Sequence, residues 1–348
     1  MAACCPVAPP PPRKKLQKRA APDYSQKLRQ GLQIAFLLLN VWIGAQFYLF
    51  VRYYEAGRGL KVSRPPGVEG WLPIASLMNL KVFLATGAIP AVHPAGLFLL
   101  VAFLAMSWLA RKSFCAWLCP VGTVSEYLWK LGRRLYRRRL QLPRKVDIGL
   151  RSLKYILLGL FLYAVMSMSV EGIRQFLGGP YGLVDDVKML NFFRTLTAAG
   201  VAVLVGLVAA SLFLENFWCR YLCPYGALFG LTALLSPMRI RRDASLCIDC
   251  DKCNKACPSL LPVAQLVTIR SAECTGCLQC VAACPAAGAL IMSAPARRRV
   301  PAWAIAAIAA GLFLGIYGYA RWSGHWSTSF PDRVYFDLIP RANEFQHP

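Results

Sequence analysis

The chain has 348 residues, 57% of them hydrophobic and only 16% charged, and 40 Lys and Arg against 16 Asp and Glu give a formal net charge of +24. With a mean hydropathy of +0.44, this composition excludes a small soluble ferredoxin and points to a multi-pass membrane protein. The excess of cations would also suit nucleic acid, but runs such as Arg133, Arg134, Arg137, Arg138 and Arg139 flank apolar segments. Membrane lipid with anionic headgroups is therefore the expected partner, and no nucleic acid is expected.

Residues 1–31 read as a disordered basic cytoplasmic tail, with Pro9 to Pro12 and a basic run from Arg13 to Arg19. Cys4 and Cys5 precede any apolar segment and are expected to be unliganded. A bilayer core needs about 20 apolar residues per helix, and five spans are predicted, at 32–51, 95–110, 153–169, 196–217 and 302–319. The first is too long for a signal-peptide core and no small-residue cleavage site follows it. Segments 1–31, 111–154 and 219–299 hold 29 of the 40 basic residues and alternate with the segments that hold the other eleven. The positive-inside rule then puts the amino terminus inside and the carboxyl terminus, residues 321–348, in the periplasm.

Between the first two spans, the apolar run from Leu72 to Phe83 carries a lone Lys81, and the run from Leu183 to Phe193 carries a lone Lys188. Each suits a helix along the outer interface, either as the roof of a quinone pocket or as a plain solvated helix. His93, just before the second span, is either a hydrogen-bond donor to a quinone or a helix cap; no histidine lies inside a span, which excludes a haem with two histidine ligands there.

Two nine-residue segments match each other. Phe114-Cys115-Ala116-Trp117-Leu118-Cys119-Pro120-Val121-Gly122 and Trp218-Cys219-Arg220-Tyr221-Leu222-Cys223-Pro224-Tyr225-Gly226 share both cysteines, Leu, Pro and Gly, 104 residues apart. Each follows an outward-to-inward span, so residues 32–152 and 153–238 are predicted to be two membrane halves related by a pseudo-twofold along the membrane normal. Cysteines four apart share a helical face. Cys115, Cys119, Cys219 and Cys223 are thus either small buried hydrophobes or a third site, a metal centre or a redox-active dithiol.

Residues 239–295 carry the plainest signal. Cys-x-x-Cys-x-x-Cys-x-x-x-Cys-Pro occurs at Cys247, Cys250, Cys253, Cys257, Pro258 and again at Cys274, Cys277, Cys280, Cys284, Pro285. Disulfides do not repeat such spacing, and zinc ribbons lack the third cysteine. The pattern is that of a bacterial two-cluster ferredoxin, whose fourth cysteine ligates the other cluster. One 4Fe-4S cluster is expected on Cys247, Cys250, Cys253 and Cys284, and a second on Cys274, Cys277, Cys280 and Cys257. The fold class is then an all-α membrane core of about five transmembrane helices in two parallel pseudo-repeats, with an inserted α+β ferredoxin domain and a last helix over residues 300–320.

Through Phe114 to Gly122, Leu150 to Tyr155, Phe217 to Gly226 and both ferredoxin runs, the chain resembles the NapH/NosR-type membrane polyferredoxins, including the YccM-like electron-transport proteins and, more distantly, the FixG/CcoG assembly proteins. The likeness covers residues 77–292. It implies a bacterial inner-membrane protein, an oxidoreductase component of quinol dehydrogenase type, that passes electrons between the quinone/quinol pool and a partner reductase or maturation system. The alternative it implies is an accessory protein that reduces a metal or a disulfide during maturation of a respiratory enzyme. A third reading is structural, with clusters that only hold the domain together. The flavin-binding outer domain of NosR has no counterpart among the roughly 43 residues between the first two spans, so no covalent flavin is expected.

Overall fold

The computed structural model describes residues 17–19, 22–137, 142–328 and 330–347. Cys4, Cys5 and the proline run lie outside the described residues. Of the predicted tail, Lys18 forms a β-bridge with Ala286 and helix α1 already begins at Ser25. That stretch is held against the ferredoxin domain by backbone pairing instead of hanging free.

The membrane core is helical: α1 (Ser25–Ala56), α2 (Pro73–Thr86), α3 (Pro94–Ala110), α4 (Ser113–Trp117), α5 (Pro120–Tyr136), α6 (Arg144–Ser167), α7 (Val170–Gly178), α8 (Pro180–Leu183), α9 (Asp185–Arg194), α10 (Ala198–Phe213) and α11 (Pro224–Leu234). The ferredoxin unit follows as β1 (Arg239–Arg242), α12 (Lys252–Ala256), α13 (Gln279–Ala283) and β2 (Leu290–Ser293), and the chain closes with α14 (Ala302–Trp322) and α15 (Asp332–Leu338). Strands β1 and β2 pair antiparallel, Arg239 opposite Ser293 and Arg242 opposite Leu290.

Among the described residues, α1, α6 and α14 are long and apolar enough to cross a membrane, and α9 with α10, bent by 84°, makes a fourth if it is one broken span. Five separate spans are not found, because α3 and α10 have only 17 and 16 residues, short of the roughly 20 that a lone helix needs. Helix α3 is apolar all round because it is the centre of the bundle: α2, α11 and α14 pack on it, and Leu100, Ala102 and Met106 are fully buried. The outer faces of α1, α6, α10 and α14 expose Trp42, Ile156, Tyr163, Val203 and Leu314, a ring of apolar surface suited to lipid.

The two lone lysines do not lie in solvated interfacial helices. Six of the fourteen residues of α2 are buried, and Lys81 Nζ donates to the carbonyls of Val165 (3.2 Å), Met166 (3.0 Å) and Met168, at the end of α6. Lys188 Nζ likewise donates to Ala342 O at 2.8 Å and Phe345 O at 2.6 Å. Each ammonium satisfies carbonyls left open where a helix or tail ends.

At the end of α3 remote from the ferredoxin unit, five ionisable side chains are buried together. Arg64 Nη1 donates to Glu69 Oε1 at 2.7 Å, and its Nε and Nη2 donate to Asp186 Oδ2 at 2.9 and 2.7 Å. His93, left-handed at φ 54° immediately before Pro94, sets Nε2 2.8 Å from Gly182 O and 3.1 Å from Asp185 Oδ1, with Nδ1 3.5 Å from Glu69 Oε1. Burial alone would lower the His93 pKa, but hydrogen bonds and charges from Asp185 and Glu69 outweigh it and hold the imidazole well above its ordinary range. Burial alone would raise Glu69; the charge of Arg64, with His93, brings it below the usual carboxylate range. The stabilisation from His93 is therefore complete below about pH 6.5 and is lost as pH rises through the raised value, while that from Glu69 is present above about 4.3 and is lost as pH falls through the lowered value. The protein in detergent should unfold at lower temperature as pH rises from about 7 to 9, and His93→Gln, which breaks a buried pair at a cost of ~3–5 kcal/mol, should lose that alkaline slope. An unchanged slope in the variant would show that His93 does not carry it.

Candidate functional site

The two cysteine runs fold into matching loops. In the first, Asp249 and Asp251 on either side of Cys250 are left-handed (φ 53° and 57°); in the second, Gly276 and Leu278 on either side of Cys277 repeat this (φ 64° and 60°). Such alternation curls the backbone and turns successive N–H groups inward, the concave geometry found around anionic iron–sulfur groups. The short helices α12 and α13 then lead away and leave Cys257 and Cys284 at their C-caps. Cys253 lies close enough to Cys247 and Cys284 for their charges to act on it, and Cys284 to Cys247 and Cys250. Cys257 is likewise influenced by Cys274 and Cys277, and Cys280 by Cys277, Cys257, Cys274 and Cys253.

Burial pushes the Cys257 thiol up to about 12 and raises Cys253, Cys277, Cys280 and Cys284 as well. Thiols so placed stay protonated unless a metal takes the sulfur. Among the described residues no three Cys, His, Asp or Glu side chains converge closely enough for a single metal ion. The donor set, all thiol with three cysteines at the same two-residue step in each loop and a fourth before proline, fits a 4Fe-4S cluster better than zinc.

The other four cysteines take a shape that helical periodicity did not foresee. Helix α4 ends at Trp117, so Cys115 lies in it and Cys119 beyond it; Cys219 and the residues up to Leu222 form a π-type turn, with Cys223 after it. Cys119 and Cys223 instead serve as N-caps of α5 and α11, their Sγ atoms accepting from Gly122 N at 3.4 Å and Gly226 N at 3.3 Å, with proline at the first helical position of each. The shared glycine has a steric reason. A Cβ on Gly122 would lie 2.5 Å from Cys115 O, and one on Gly226 3.2 Å from Cys219 O. Cys119 interacts with Cys115 and Cys223, and Cys219 with Cys223, Cys119 and Cys115. Helix α3 packs on α11 and α10 on α5, so the helix before each motif lies against the helix after the other.

All four sulfurs line one cavity of about 840 Å³. At its ferredoxin end the cavity reaches Glu273, Thr275 and Cys277; it then passes Phe36, Leu99 and Phe103 and ends among Arg64, Trp71 and Trp326.

Charged residues missed in the sequence fasten the ferredoxin unit beside this cavity. Arg29 Nη1 and Nη2 donate to Glu126 at 2.6 Å each, Gln33 Nε2 donates to Ala116 O (3.0 Å), and Gln279 Nε2 donates to Glu126 Oε1 (3.1 Å). On the opposite flank Lys154 Nζ donates to both Glu273 oxygens at 2.7 and 2.6 Å, and Tyr155 Oη to Oε1 at 3.0 Å. Trp117, between Cys115 and Cys119, donates from Nε1 to Gly276 O at 3.2 Å, which ties one membrane motif to the loop of Cys277. The available signal was charge inside or beside apolar helices, at Arg29 and Lys154, which a count of basic residues treats only as flanks.

The family described as "4Fe-4S binding domain" matches the chain twice, at residues 92–139 and 196–243, and the family described as "4Fe-4S dicluster domain" matches residues 239–285. YccM of Escherichia coli (strain K12), a proposed electron transport protein, is 47% identical over 326 residues, which cover 92% of this chain and 91% of YccM. The regulatory protein NosR of Pseudomonas aeruginosa is 31% identical over 194 residues, 53% of this chain and 25% of NosR, and the ferredoxin-type protein NapH of Haemophilus influenzae is 28% identical over 187 residues, 51% and 60%. No solved structure is a significant match. A chain with both motif types, and with so large a share of YccM in common, belongs to the NapH/NosR-type family of membrane polyferredoxins.

Proposed function

We propose that this protein is a multi-pass bacterial inner-membrane electron carrier that relays electrons between the quinol pool and a redox partner protein. The observation that carries the reading is the single cavity joining apolar helix walls, the four membrane cysteines and Cys277. Phe36, Leu99 and Phe103 offer an apolar slot of the kind that takes a quinone ring and its tail. Cys115, Cys119, Cys219 and Cys223 form a third redox or metal site between that slot and the ferredoxin loops. The eight ferredoxin cysteines hold two 4Fe-4S clusters in the crosswise sets. When bound, the clusters supply one-electron transfer at low potential. The chain supplies position: the Arg29–Glu126 and Lys154–Glu273 pairs clamp the ferredoxin loops over the cavity mouth, and burial keeps water from the path. The grouping of Cys115, Cys119, Cys219 and Cys223 on one cavity would also suit the maturation reading, in which they reduce a metal or a disulfide. The family likeness to YccM, a proposed electron transport protein, weighs for the relay.

Three outcomes test this. Reconstituted protein should bind about eight iron atoms in the ferredoxin unit, and Cys257→Ala should remove the EPR signal that Cys274→Ala removes, while Cys284→Ala removes the one lost in Cys247→Ala. Pairing by run instead of crosswise would refute the ligand sets. Leu99→Trp fills the slot at ~1–3 kcal/mol of overpacking; reduction of the clusters by a quinol analogue should slow at least about tenfold, while reduction by dithionite stays normal. Equal rates with quinol in variant and wild type would remove the slot from the path. For orientation, with α3 and α10 crossing as short helices inside the bundle, an alkaline phosphatase fusion after Arg299 should be inactive and one after Pro348 active, since the segments with 29 basic residues would then share the cytoplasmic side; the reverse pair would invert the topology.

A further inference from the structure

Around the membrane cysteines most buried charges are matched, and the buried carboxylate Glu215 also has an interaction of its own. Lys154 is paired with Glu273, Arg29 with Glu126, and Arg220 and Arg151 with Asp147. Arg111 is spent on the carbonyls of Ala233 and Ser271. Lys112 is left. It is 3% exposed, lines the cavity with Cys115, Cys119, Cys219 and Cys223, and among the described residues makes no ion pair. Its charge acts on Cys115, Cys219 and Cys223, and on Glu273, whose oxygens Lys154 and Tyr155 already occupy. A buried ammonium is costly unless anionic charge offsets it, and Lys112 lines the same cavity as all four cysteines, with Glu273 as its nearest source of negative charge. Protonated thiols offer it nothing, and four thiolates on an iron–sulfur core carry net negative charge that grows on reduction.

We propose that Lys112 is the counter-ion of an anionic, thiolate-ligated iron–sulfur centre held by Cys115, Cys119, Cys219 and Cys223, and that it raises that centre's reduction potential. The inference rests on the third redox site proposed above. Because the reduced state bears one more negative charge, it gains more from the ammonium than the oxidised state does. Lys112 is thus a positioning charge, not a ligand. Its place three residues before Cys115, at the N-cap of α4, roots the side chain beside that cysteine.

The test is a potentiometric titration, followed by EPR and Mössbauer spectroscopy, of the whole protein in detergent after anaerobic reconstitution, as wild type, Lys112→Met and Lys112→Arg. Wild type should show a third centre beyond the two ferredoxin signals. In Lys112→Met its midpoint should fall by about a factor of ten or more in the reduction equilibrium, 59 mV for one electron, with smaller shifts at the ferredoxin clusters, and Lys112→Arg should stay near wild type. A third centre present but unmoved in Lys112→Met, or moved as far in Lys112→Arg, overturns the role of Lys112 and leaves the third site standing. If Lys112→Met loses the centre while both ferredoxin signals remain, Lys112→Arg must retain it; loss in both overturns the proposal. Wild type with only two centres overturns the third site and this inference with it.

Discussion

The architecture depends on neutralising charge where the ferredoxin unit meets the membrane helices. Arg29 belongs to α1 and Lys154 to α6, both long apolar helices, and neither cation is in water. Their partners come from elsewhere: Glu126 from α5 and Glu273 from the loop that leads to Cys274. Removing one member of such a pair strands the other in a low dielectric, so the helices and the cluster loops specify each other's position. The shared cavity below the cluster loops follows from that fixed seat.

The two membrane motifs show how one local solution is used twice with different surroundings. Proline at the first helical position, a sulfur N-cap and a glycine at the third position recur in both. These are backbone demands, which is why sequence identity between the copies is confined to Cys, Leu, Pro and Gly. The environment differs by half. The first copy leans on Arg29, Gln33 and Trp117; the second offers Arg220 to Asp147 through a π-type turn. The two copies thus share their helix starts but differ in the turn before them and in the charges around them.

Much of this was legible in the residues. Both ferredoxin runs, the repeated Cys-x-x-x-Cys-Pro and the membrane character follow from spacing and composition, because each depends on local chemistry. Span lengths were less legible: α3 is short because neighbours, not lipid, cover it, and no property of residues 94–110 announces those neighbours. The helical face assumed for Cys115 and Cys119 failed since Pro120 starts a new helix, where a cysteine four residues on becomes a cap. His93, read as a quinone donor or a cap, is instead tied into a buried ionic group with Arg64, Glu69, Asp185 and Asp186, brought from three separate segments. Long-range pairing of that kind has no sequence signature.

The short pairing of residues 17–19 with the ferredoxin unit bears on the order of assembly. Ala287 N donates to Gln17 O at 2.8 Å and Arg19 Nη2 to Val281 O at 2.6 Å, across a sequence separation of 262 residues in the second case. Contacts so remote along the chain form late, since the intervening loop must close before they are rewarded. During synthesis the segment waits through all of α1 to α13 with no place to dock. Once the domain exists, the same segment covers its flank beside Cys284, whose charge Arg19 feels. That flank of the domain is thus open while the domain is being made and covered only afterwards, by the earliest described residues of the chain.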